Sequence, residues 1–253
     1  NSSLAKVGVD HAFYSPLNAV WCRNPHLYNG PLYRACEGRP DLLPVPILDP
    51  TVATWNAELD EAVACGAKAI RVLPNYHGYR LDQVGAFWDA VSETSLVAIV
   101  QTRMEDPRRQ HPLAVVEDVP AKEVAHLSRK RPGLKLVIGG PRTAEIRSLK
   151  DELKDQPNLY ADVSQADGLD ALRVLVEDGL ERSLLFGSHA PLFIAHAAVA
   201  RVITDVDDAV AEKVSEGTST FLPSGKSKHL SARCNAAVQE FNPKEYFDPK
   251  YLL

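Results

Sequence analysis

The sequence predicts an α/β fold, and a (β/α)8 TIM-like barrel is the first candidate within that class. Seven short apolar runs alternate with segments of helical hydrophobic periodicity along residues 9–217. The apolar runs are continuous rather than alternating, which is typical of parallel strands that are covered on both faces. Successive runs lie roughly 25–35 residues apart, which is the length of a strand–helix–strand unit.

The elements follow from these patterns in chain order. The predicted strands are 9–17, 42–50, 67–74, 96–103, 134–140, 159–164 and 183–188. The predicted helices are 55–66, 84–94, 119–133, 143–155, 168–179, one that starts at Pro191, and 205–217. Prolines near helix starts and glycines at helix ends support these limits, and Asp205 is expected to cap the last helix at its N-terminus.

The strand count is one short of a closed barrel, which has eight strands. The shortfall lies at the N-terminus, where residues 2–9 resemble the end of a helix whose preceding strand is missing or divergent. A doubly wound open sheet is the alternative, although no G-x-G-x-x-G follows a strand and no dinucleotide site is predicted. We expect residues 1–217 to form one barrel domain and residues 218–253 to form a C-terminal extension or arm.

Composition narrows the classes of partner. The net charge is −5 and no long basic cluster is present, so nucleic acid is not expected as a partner. No apolar run approaches the ~20 residues that a membrane span requires. The four cysteines lack C-x-x-C spacing, which favours reduced thiols and a cytoplasmic location over a disulfide framework. The expected partner is a small-molecule substrate, and the irregular tail is a candidate arm for a homo-oligomer.

The densest polar segment is QTRMEDPRRQHP, residues 101–112, which follows the fourth strand. In a barrel, the C-terminal ends of the strands form the active-site face. Arginines there can hold a carboxylate, and acidic or histidine side chains can transfer protons. The candidates are, for substrate binding, Gln101, Arg103, Arg108 and Arg109 and, for proton transfer, Glu105, Asp106 and His111. An ion-pair network that only fastens a long loop is the alternative.

The stretch SLLFGSHAPLF, residues 183–193, places His189 at the tip of the seventh strand. His189 is a candidate base or metal ligand, and the alternatives are a cap for the next helix or a hydrogen bond to a buried carbonyl. Ser188 is a candidate substrate-binding donor. It is not predicted to be a nucleophile, because no G-x-S-x-G motif surrounds it.

Arg71 lies inside the third strand, where a charged side chain is costly unless it is paired. If it points into the barrel, it can bind an anion at the mouth. The alternative is a buried pair with Asp49 or Asp162. Asp162 and Ser164 end the sixth strand and are candidates for orienting His189.

The order of seven segments resembles the amidohydrolase-related family, the amidohydrolase-2 type of metal-dependent hydrolases, over most of residues 7–217. The segments are GVDHAFYSPL, PVPILDP, CGAKAIRVLP, VAIVQTRMEDPR, RPGLKLVIGG, NLYADVS and LLFGSHAP. The most specific are NLYADVS and LLFGS-x-x-P. The resemblance implies a (β/α)8 barrel with its site at the C-terminal strand ends, and amide hydrolysis, lactone hydrolysis or non-oxidative decarboxylation as the activity.

The chain departs from this family in its metal ligands. The family pattern has H-x-H on the first strand, a histidine after the fifth strand and aspartate in FGSD-x-P. Here no H-x-H occurs, Gly139 and Gly140 follow the fifth strand, and His189 replaces the aspartate. The family's usual ligand motif for a divalent metal such as zinc is therefore missing from this sequence. The residues that could still bind such a metal are Glu105, Asp106, His111 and His189, although the surrounding arginines argue against a dication.

The resulting expectation is an amidohydrolase-related hydrolase that acts on a small carboxylated amide, ester or lactone, and a metal-independent mechanism would suit the missing ligands. Arg71 and Arg103 would hold the carboxylate, and His189 with Glu105 or His111 would move protons. One alternative is a non-oxidative decarboxylase of the same superfamily, and another is a ligand-binding barrel without catalysis. A third is a full metalloenzyme whose first strand lies upstream of this sequence.

Overall fold

The computed structural model describes residues 9, 11–106, 108, 110–112 and 115–217, apart from the side chain of Glu216. This part of the chain contains seven parallel strands, each inside its predicted range. They are β1 (Ala12–Tyr14), β2 (Leu42–Pro44), β3 (Ala69–Val72), β4 (Val97–Gln101), β5 (Leu136–Gly139), β6 (Leu159–Asp162) and β7 (Leu184–Leu185).

The strands pair in sequence order. Strands β3 to β7 form one five-stranded parallel sheet, and β1 pairs in parallel with β2. A parallel bridge between Ile47 and Arg71 joins the two sheets, because the chain beyond β2 runs beside β3. The chain therefore forms a partial (β/α)8 barrel, and the predicted fold class is confirmed.

Helices follow most strands as the alternation predicts, and those over 29–36 and 74–77 were not predicted. They are α1 (Asn29–Cys36), α2 (Trp55–Ala64), α3 (Pro74–His77), α4 (Gly85–Ser92), α5 (Ala121–Lys130), α6 (Thr143–Ser148), α7 (Lys150–Asp155), α8 (Ala171–Glu177), α9 (Ala195–Asp205) and α10 (Asp208–Gly217). Short 3-10 segments cover Leu17–Trp21, Pro25–Tyr28 and Leu81–Gln83.

Three helix limits differ from the prediction. The helix predicted over 143–155 is two helices that divide at Leu149. The helix expected from Pro191 begins only at Ala195. Asp205 was the wrong cap, because it is the last residue of α9; the carboxylate of Asp207 instead accepts a hydrogen bond from the backbone N–H of Val210 at 2.9 Å.

Alternation along the strands divides the core into two layers. Ile70, Ala98 and Ile138 face outward into the large cluster that the helices cover. Ala69, Val97 and Val137 face inward and form a separate cluster inside the barrel. Because every second residue of a strand points to the same side, the inner face continues upward to a polar set at the C-terminal strand ends: Arg71, Gln101, Gly139 and Asp162.

Residues 15–36, which we call the roof segment, pack at this same end of the barrel. Ala19 and Val20 form a small core with Leu73, Met104 and Leu192, which follow β3, β4 and β7. Polar side chains also attach the segment, since Asn29 exchanges two hydrogen bonds with the backbone of Ile47, each 3.1 Å long. The roof segment therefore covers part of the C-terminal face.

The barrel has a seam between β7 and β1, where no strand within residues 11–106 or 115–217 supplies a further pairing. Helix α10 packs against β7 there, and the N–H of Phe186 donates to the carbonyl of Val214 at 3.1 Å. Within the described ranges, no helix has the length and apolar character to cross a membrane. The predicted arm, residues 218–253, lies outside the described residues.

Candidate active site at the C-terminal end of the barrel

Arg71 is the central cation of the barrel mouth. Its Nε donates to the hydroxyl of Ser15 at 3.1 Å, and its Nη1 donates to Oε1 of Gln101. These are the two hydrogen bonds that the described residues provide for its five N–H donors. Burial lowers the pKa of Arg71 and the charge of Asp162 opposes this shift; a guanidinium nevertheless stays charged at neutral pH. Arg71 is half-buried, so its remaining donors are suited to an anionic ligand.

Asp162 ends β6 on the same inner face. Its Oδ1 accepts hydrogen bonds from the hydroxyl of Ser164 at 2.6 Å and from the backbone N–H of Ser164 at 3.0 Å. These bonds fix the carboxylate at the strand end, close enough for its charge to act on Arg71 and His189. The sequence suggested that Asp162 and Ser164 orient His189, but the hydrogen bonds here run between the two residues themselves.

His189 follows β7 with a left-handed backbone, at φ of 50°. This region is unfavourable for residues other than glycine, so the conformation has to be held by contacts. The Nε2 atom lies 2.7 Å from the carbonyl oxygen of Met104, and the ring packs on Phe193 with centroids 5.2 Å apart. Because a carbonyl only accepts, Nε2 carries the proton and a neutral ring has its lone pair on Nδ1.

The electrostatic surroundings keep this ring neutral. Burial lowers the pKa of His189, and the positive charge of Arg71 lowers it further. Asp162 and the hydrogen bond to Met104 act in the opposite direction, but the pKa still lies below the ordinary 6.5. At pH 7 the site therefore contains a fixed cation, a carboxylate and a neutral imidazole with an unprotonated nitrogen.

Arg103, a predicted substrate-binding residue, instead lies in a structural network. Its guanidinium donates to Asp118 through Nε at 2.9 Å and Nη2 at 2.7 Å. It also donates to Glu145 at 2.6 Å and 2.9 Å and to the carbonyl of Gly140 at 3.0 Å. All five donors are used, so Arg103 has none left for a substrate and fits the alternative of a loop-fastening ion-pair network.

The remaining described candidates from residues 101–112 are Asp106, Arg108, Glu105 and His111. Asp106 and Arg108 form an ion pair with each other, in which the Arg108 side chain is 87% exposed. The hydrogen bond from Arg108 lowers the pKa of Asp106, which does not suit a general base near neutral pH. Glu105 is half-buried and its charge acts on Tyr76, whereas His111 is exposed. Arg109 lies outside the described residues.

Ser188 remains beside the site. Its hydroxyl accepts a hydrogen bond of 3.4 Å from the backbone N–H of Ala190, which is a local turn contact. Of the predicted site residues, the structure thus brings together Arg71, Gln101, Asp162 and His189, with Ser188 next to His189.

Sequence reasoning missed Ser15, and it offered a hydrogen bond from His189 to a buried carbonyl only as an alternative, without naming the residue. Ser15 holds Arg71 from the end of β1, and the carbonyl of Met104 orients His189. Ser15 carries no motif, although its place near the end of the first predicted strand, 9–17, put it toward the same barrel end. A backbone carbonyl has no sequence signal at all.

The family resemblance implies a divalent metal, so the fit of these residues to a metal matters. Among the residues that the structure describes, no three His, Cys, Asp or Glu side chains come together as a metal site. Zinc in proteins takes three or four such ligands. The inner strand ends carry Arg71, Gln101 and Gly139 instead. The described residues therefore do not fit a protein-held dication, and the fixed positive charge is the guanidinium of Arg71.

Comparison with known proteins supports the fold. No protein-family model and no curated protein matches the chain. Solved structures do match. The chain is 16% identical to 2,6-dihydroxybenzoate decarboxylase from Rhizobium, with 87% of this chain and 86% of that chain covered and a TM-score of 0.66. An uncharacterised TIM-barrel protein from Bordetella bronchiseptica matches at 14% identity, with 94% and 82% covered and a TM-score of 0.66.

A hydrolase also has this fold. A probable 2-pyrone-4,6-dicarboxylic acid hydrolase from Acinetobacter baumannii, with citric acid bound, is 14% identical, with 87% of this chain and 86% of that chain covered and a TM-score of 0.59. At these identities the similarity establishes a shared barrel fold and nothing further.

Proposed function

We propose that this protein is an acid–base enzyme of the amidohydrolase-related type that acts on a small carboxylated molecule at the C-terminal end of the barrel. The observation that carries the proposal is the state of Arg71. It is a charged side chain on the inner face, held by two neutral acceptors, with donors left for an anion. Arginine binds carboxylates through such paired N–H groups.

The neighbouring residues supply the proton transfer in this proposal. His189 acts through Nδ1, since its Nε2–H is engaged with the carbonyl of Met104. Asp162 accepts a hydrogen bond from the substrate or balances the charge of an imidazolium. A neutral histidine and a carboxylate beside a fixed cation are a set of groups suited to acid–base catalysis.

Non-oxidative decarboxylation is the first reaction class that we propose, and the structural similarity to a dihydroxybenzoate decarboxylase supports it. In this reaction the C–C bond to the carboxylate breaks, CO2 leaves, and a proton takes its place on the carbon. His189, neutral at rest, takes this proton on Nδ1 from solvent and delivers it to the carbon, so the imidazole is neutral again at the end of the reaction. In this reaction Arg71 binds an anionic oxygen of the substrate other than the departing carboxylate. Binding that carboxylate would stabilise the ground state and slow the loss of CO2.

Hydrolysis of a lactone or ester is the second candidate, and one specific observation favours it. The lowered pKa of His189 leaves its Nδ1 unprotonated near neutral pH, as a general base for water requires. Water adds to the carbonyl carbon while His189 takes a proton from it on Nδ1, and Arg71 stabilises the resulting oxyanion. The oxyanion then collapses, the C–O bond of the ester or lactone breaks, and His189 returns its proton to the leaving oxygen. The similarity to a pyrone dicarboxylate hydrolase supports this class.

Isotope incorporation tests the proposal and separates the two reactions. The protein is incubated with 2,6-dihydroxybenzoate and with 2-pyrone-4,6-dicarboxylate, in D2O or in H2(18)O. Decarboxylation places deuterium on the carbon that lost CO2, whereas hydrolysis places 18O in the new carboxylate. Arg71→Met and His189→Gln should each lower turnover by at least about 100-fold. Turnover that both variants retain at the wild-type rate would refute the site.

A further inference from the structure

The side-chain amide of Gln101 is fixed at both ends. Its Nε2 donates to the carbonyl of Arg103 at 2.7 Å, which leaves Oε1 as the atom directed at Arg71. Oε1 accepts the hydrogen bond from Nη1 of Arg71. Gln101 itself is 3% exposed, so water does not compete for these contacts.

Two glycines make the space for this amide. A Cβ added to Gly139 would lie 2.9 Å from Oε1 of Gln101, and a Cβ on Gly140 would lie 3.0 Å from its Nε2. The first distance is shorter than real Cβ contacts allow. Any other residue at position 139 would therefore displace the Gln101 amide from Arg71.

The partners of Arg71 also preserve its charge. Arg103, a few residues away along the chain from Gln101, is neutralised by the carboxylates of Asp118 and Glu145. Arg71 receives the neutral oxygens of Ser15 and Gln101 instead. Neutral acceptors orient a guanidinium without cancelling its charge, whereas a carboxylate in the same place would compete with an anionic ligand.

We infer that Gln101 is the positioning residue for Arg71, and that Gly139 acts through it by leaving room for its amide. This inference rests on the proposed function of Arg71 as the anion-binding group. Gln101 presets the direction of the guanidinium, so an anion meets a donor pair that is already ordered. Glutamine also places no negative charge beside Nη1.

Calorimetric titration of the full chain with 2,6-dihydroxybenzoate and with citrate tests the inference. Arg71→Met should abolish binding. Gln101→Ala should weaken it roughly five- to tenfold, because the guanidinium loses its orientation. Gln101→Glu should weaken it more than Gln101→Ala, because it places a negative charge on Arg71. A purely structural role predicts the reverse order, since glutamate preserves the hydrogen bond.

A double-mutant cycle tests the part of Gly139. Gly139→Ala should weaken anion binding about as much as Gln101→Ala, and it should add nothing in the Gln101→Ala background. Gly133→Ala is the matched control, because a Cβ there meets no atom within 4 Å. Gln165→Ala is the second control, since Gln165 also donates to the carbonyl of Arg103, at 3.2 Å.

The outcomes separate the inference from the proposed function. If the wild type binds neither anion, the proposed function fails and the inference fails with it. If Arg71→Met abolishes binding while Gln101→Ala and Gly139→Ala bind as the wild type does, only the inference is overturned. Independent, additive losses in the cycle would overturn the role of Gly139 through Gln101.

Discussion

At the residue scale, two arginines near the barrel mouth have opposite surroundings and should respond differently to removal. Arg103 is 5% exposed and forms ion pairs with two carboxylates, so Arg103→Met would leave Asp118 and Glu145 without this cation. We expect the free energy of unfolding to fall by about 3 kcal/mol, at the lower end for a broken buried pair because both acids are partly exposed. Arg71→Met leaves neutral acceptors without their donor and removes a costly, partly buried cation. It should therefore cost less, about 1 kcal/mol, the low end for a buried acceptor that loses its partner.

Urea unfolding at pH 7 measures this contrast, and pH provides its control. Burial opposes ionisation of Glu145, but the hydrogen bond from Arg103 prevails and lowers its pKa. A carboxyl whose folded pKa is lowered stabilises the fold above its unfolded pKa of about 4.3, and this stability is lost as the pH falls below it. The cost of Arg103→Met should therefore shrink in acid. Equal losses for the two arginine variants would contradict the assignment.

A second prediction at the residue scale concerns how the pKa of His189 responds to its two charged neighbours. Because burial and Arg71 lower this pKa, Arg71→Met should raise it, and Asp162→Asn should lower it further by removing a negative charge. Proton NMR titration of the imidazole resonances measures both shifts, and His189→Gln identifies the resonance. A wild-type value above 6.5, or no response to either variant, would show that the three groups do not share one electrostatic environment.

At the element scale, the roof segment depends on a neutral histidine. Nε2 of His26 accepts the backbone N–H of Asp49 at 3.0 Å, and its Nδ1 lies 3.3 Å from the hydroxyl of Thr54. Protonation would place two donors against each other. Burial lowers the pKa of His26, with Glu58 and Asp49 opposing and His77 adding to the effect. The histidine therefore stabilises the fold above pH 6.5, and this contribution is lost as the pH falls through its lowered folded value.

The urea midpoint should consequently fall between pH 7.5 and pH 5.5, and it should fall less in His26→Gln. Glutamine can accept the same N–H through Oε1 but does not titrate in this range. Amide exchange in residues 15–36, corrected for intrinsic rates, should accelerate over the same interval in the wild type. A drop in midpoint that is identical in both proteins would remove His26 as its source.

Elements that are stabilised by a local sequence pattern could be predicted from the sequence, whereas elements that depend on tertiary contacts could not. Continuous apolar runs and helix signals located all seven strands, because a strand that is buried on both faces consists of consecutive apolar residues. Helix α1 was missed because NGPLYRAC contains poor helix formers, and its first residue is anchored by tertiary bonds to Ile47 and Glu58. The cap at Asp205 was misplaced for a local reason, since Asp207, two residues further on, is an equally good capping residue and is the one that accepts from Val210.

The residues of the candidate site were also predictable where a local pattern placed them and unpredictable where distant contacts did. Arg71, Gln101 and Asp162 were predicted from their places in or at the ends of apolar runs, and strand alternation puts all three on the inner face. Arg103, two residues after Gln101, would lie on the same face if the strand continued. However, β4 ends at Gln101, and Arg103 binds partners that are 15 and 42 residues away in sequence. Such distant pairing leaves no local pattern. The strained backbone of His189 and its Met104 contact likewise depend on two separate loops meeting.

At the scale of the whole molecule, the barrel depends on how its seam at β7 is covered. Val214 of α10 is fully buried, and its carbonyl accepts the N–H of Phe186 just past β7. Gly217 permits this approach, because a Cβ there would lie 3.1 Å from the carbonyl oxygen of Leu184. A backbone oxygen in a strand cannot move aside as a flexible side chain can. Helix α10 therefore satisfies part of a strand edge that would otherwise be open to aggregation.

Gly217→Ala should accordingly lower the free energy of unfolding by about 1–2 kcal/mol, the usual cost of overpacking, although alanine is the better helix former. Gly85→Ala, in helix α4, is the matched control, since its Cβ would meet only the Arg131 side chain at 3.8 Å. That variant should be neutral or slightly more stable. Light scattering during thermal unfolding should show earlier aggregation for Gly217→Ala alone, because α10 would leave the β7 edge first. If the two variants behaved alike, α10 would not be what holds the seam.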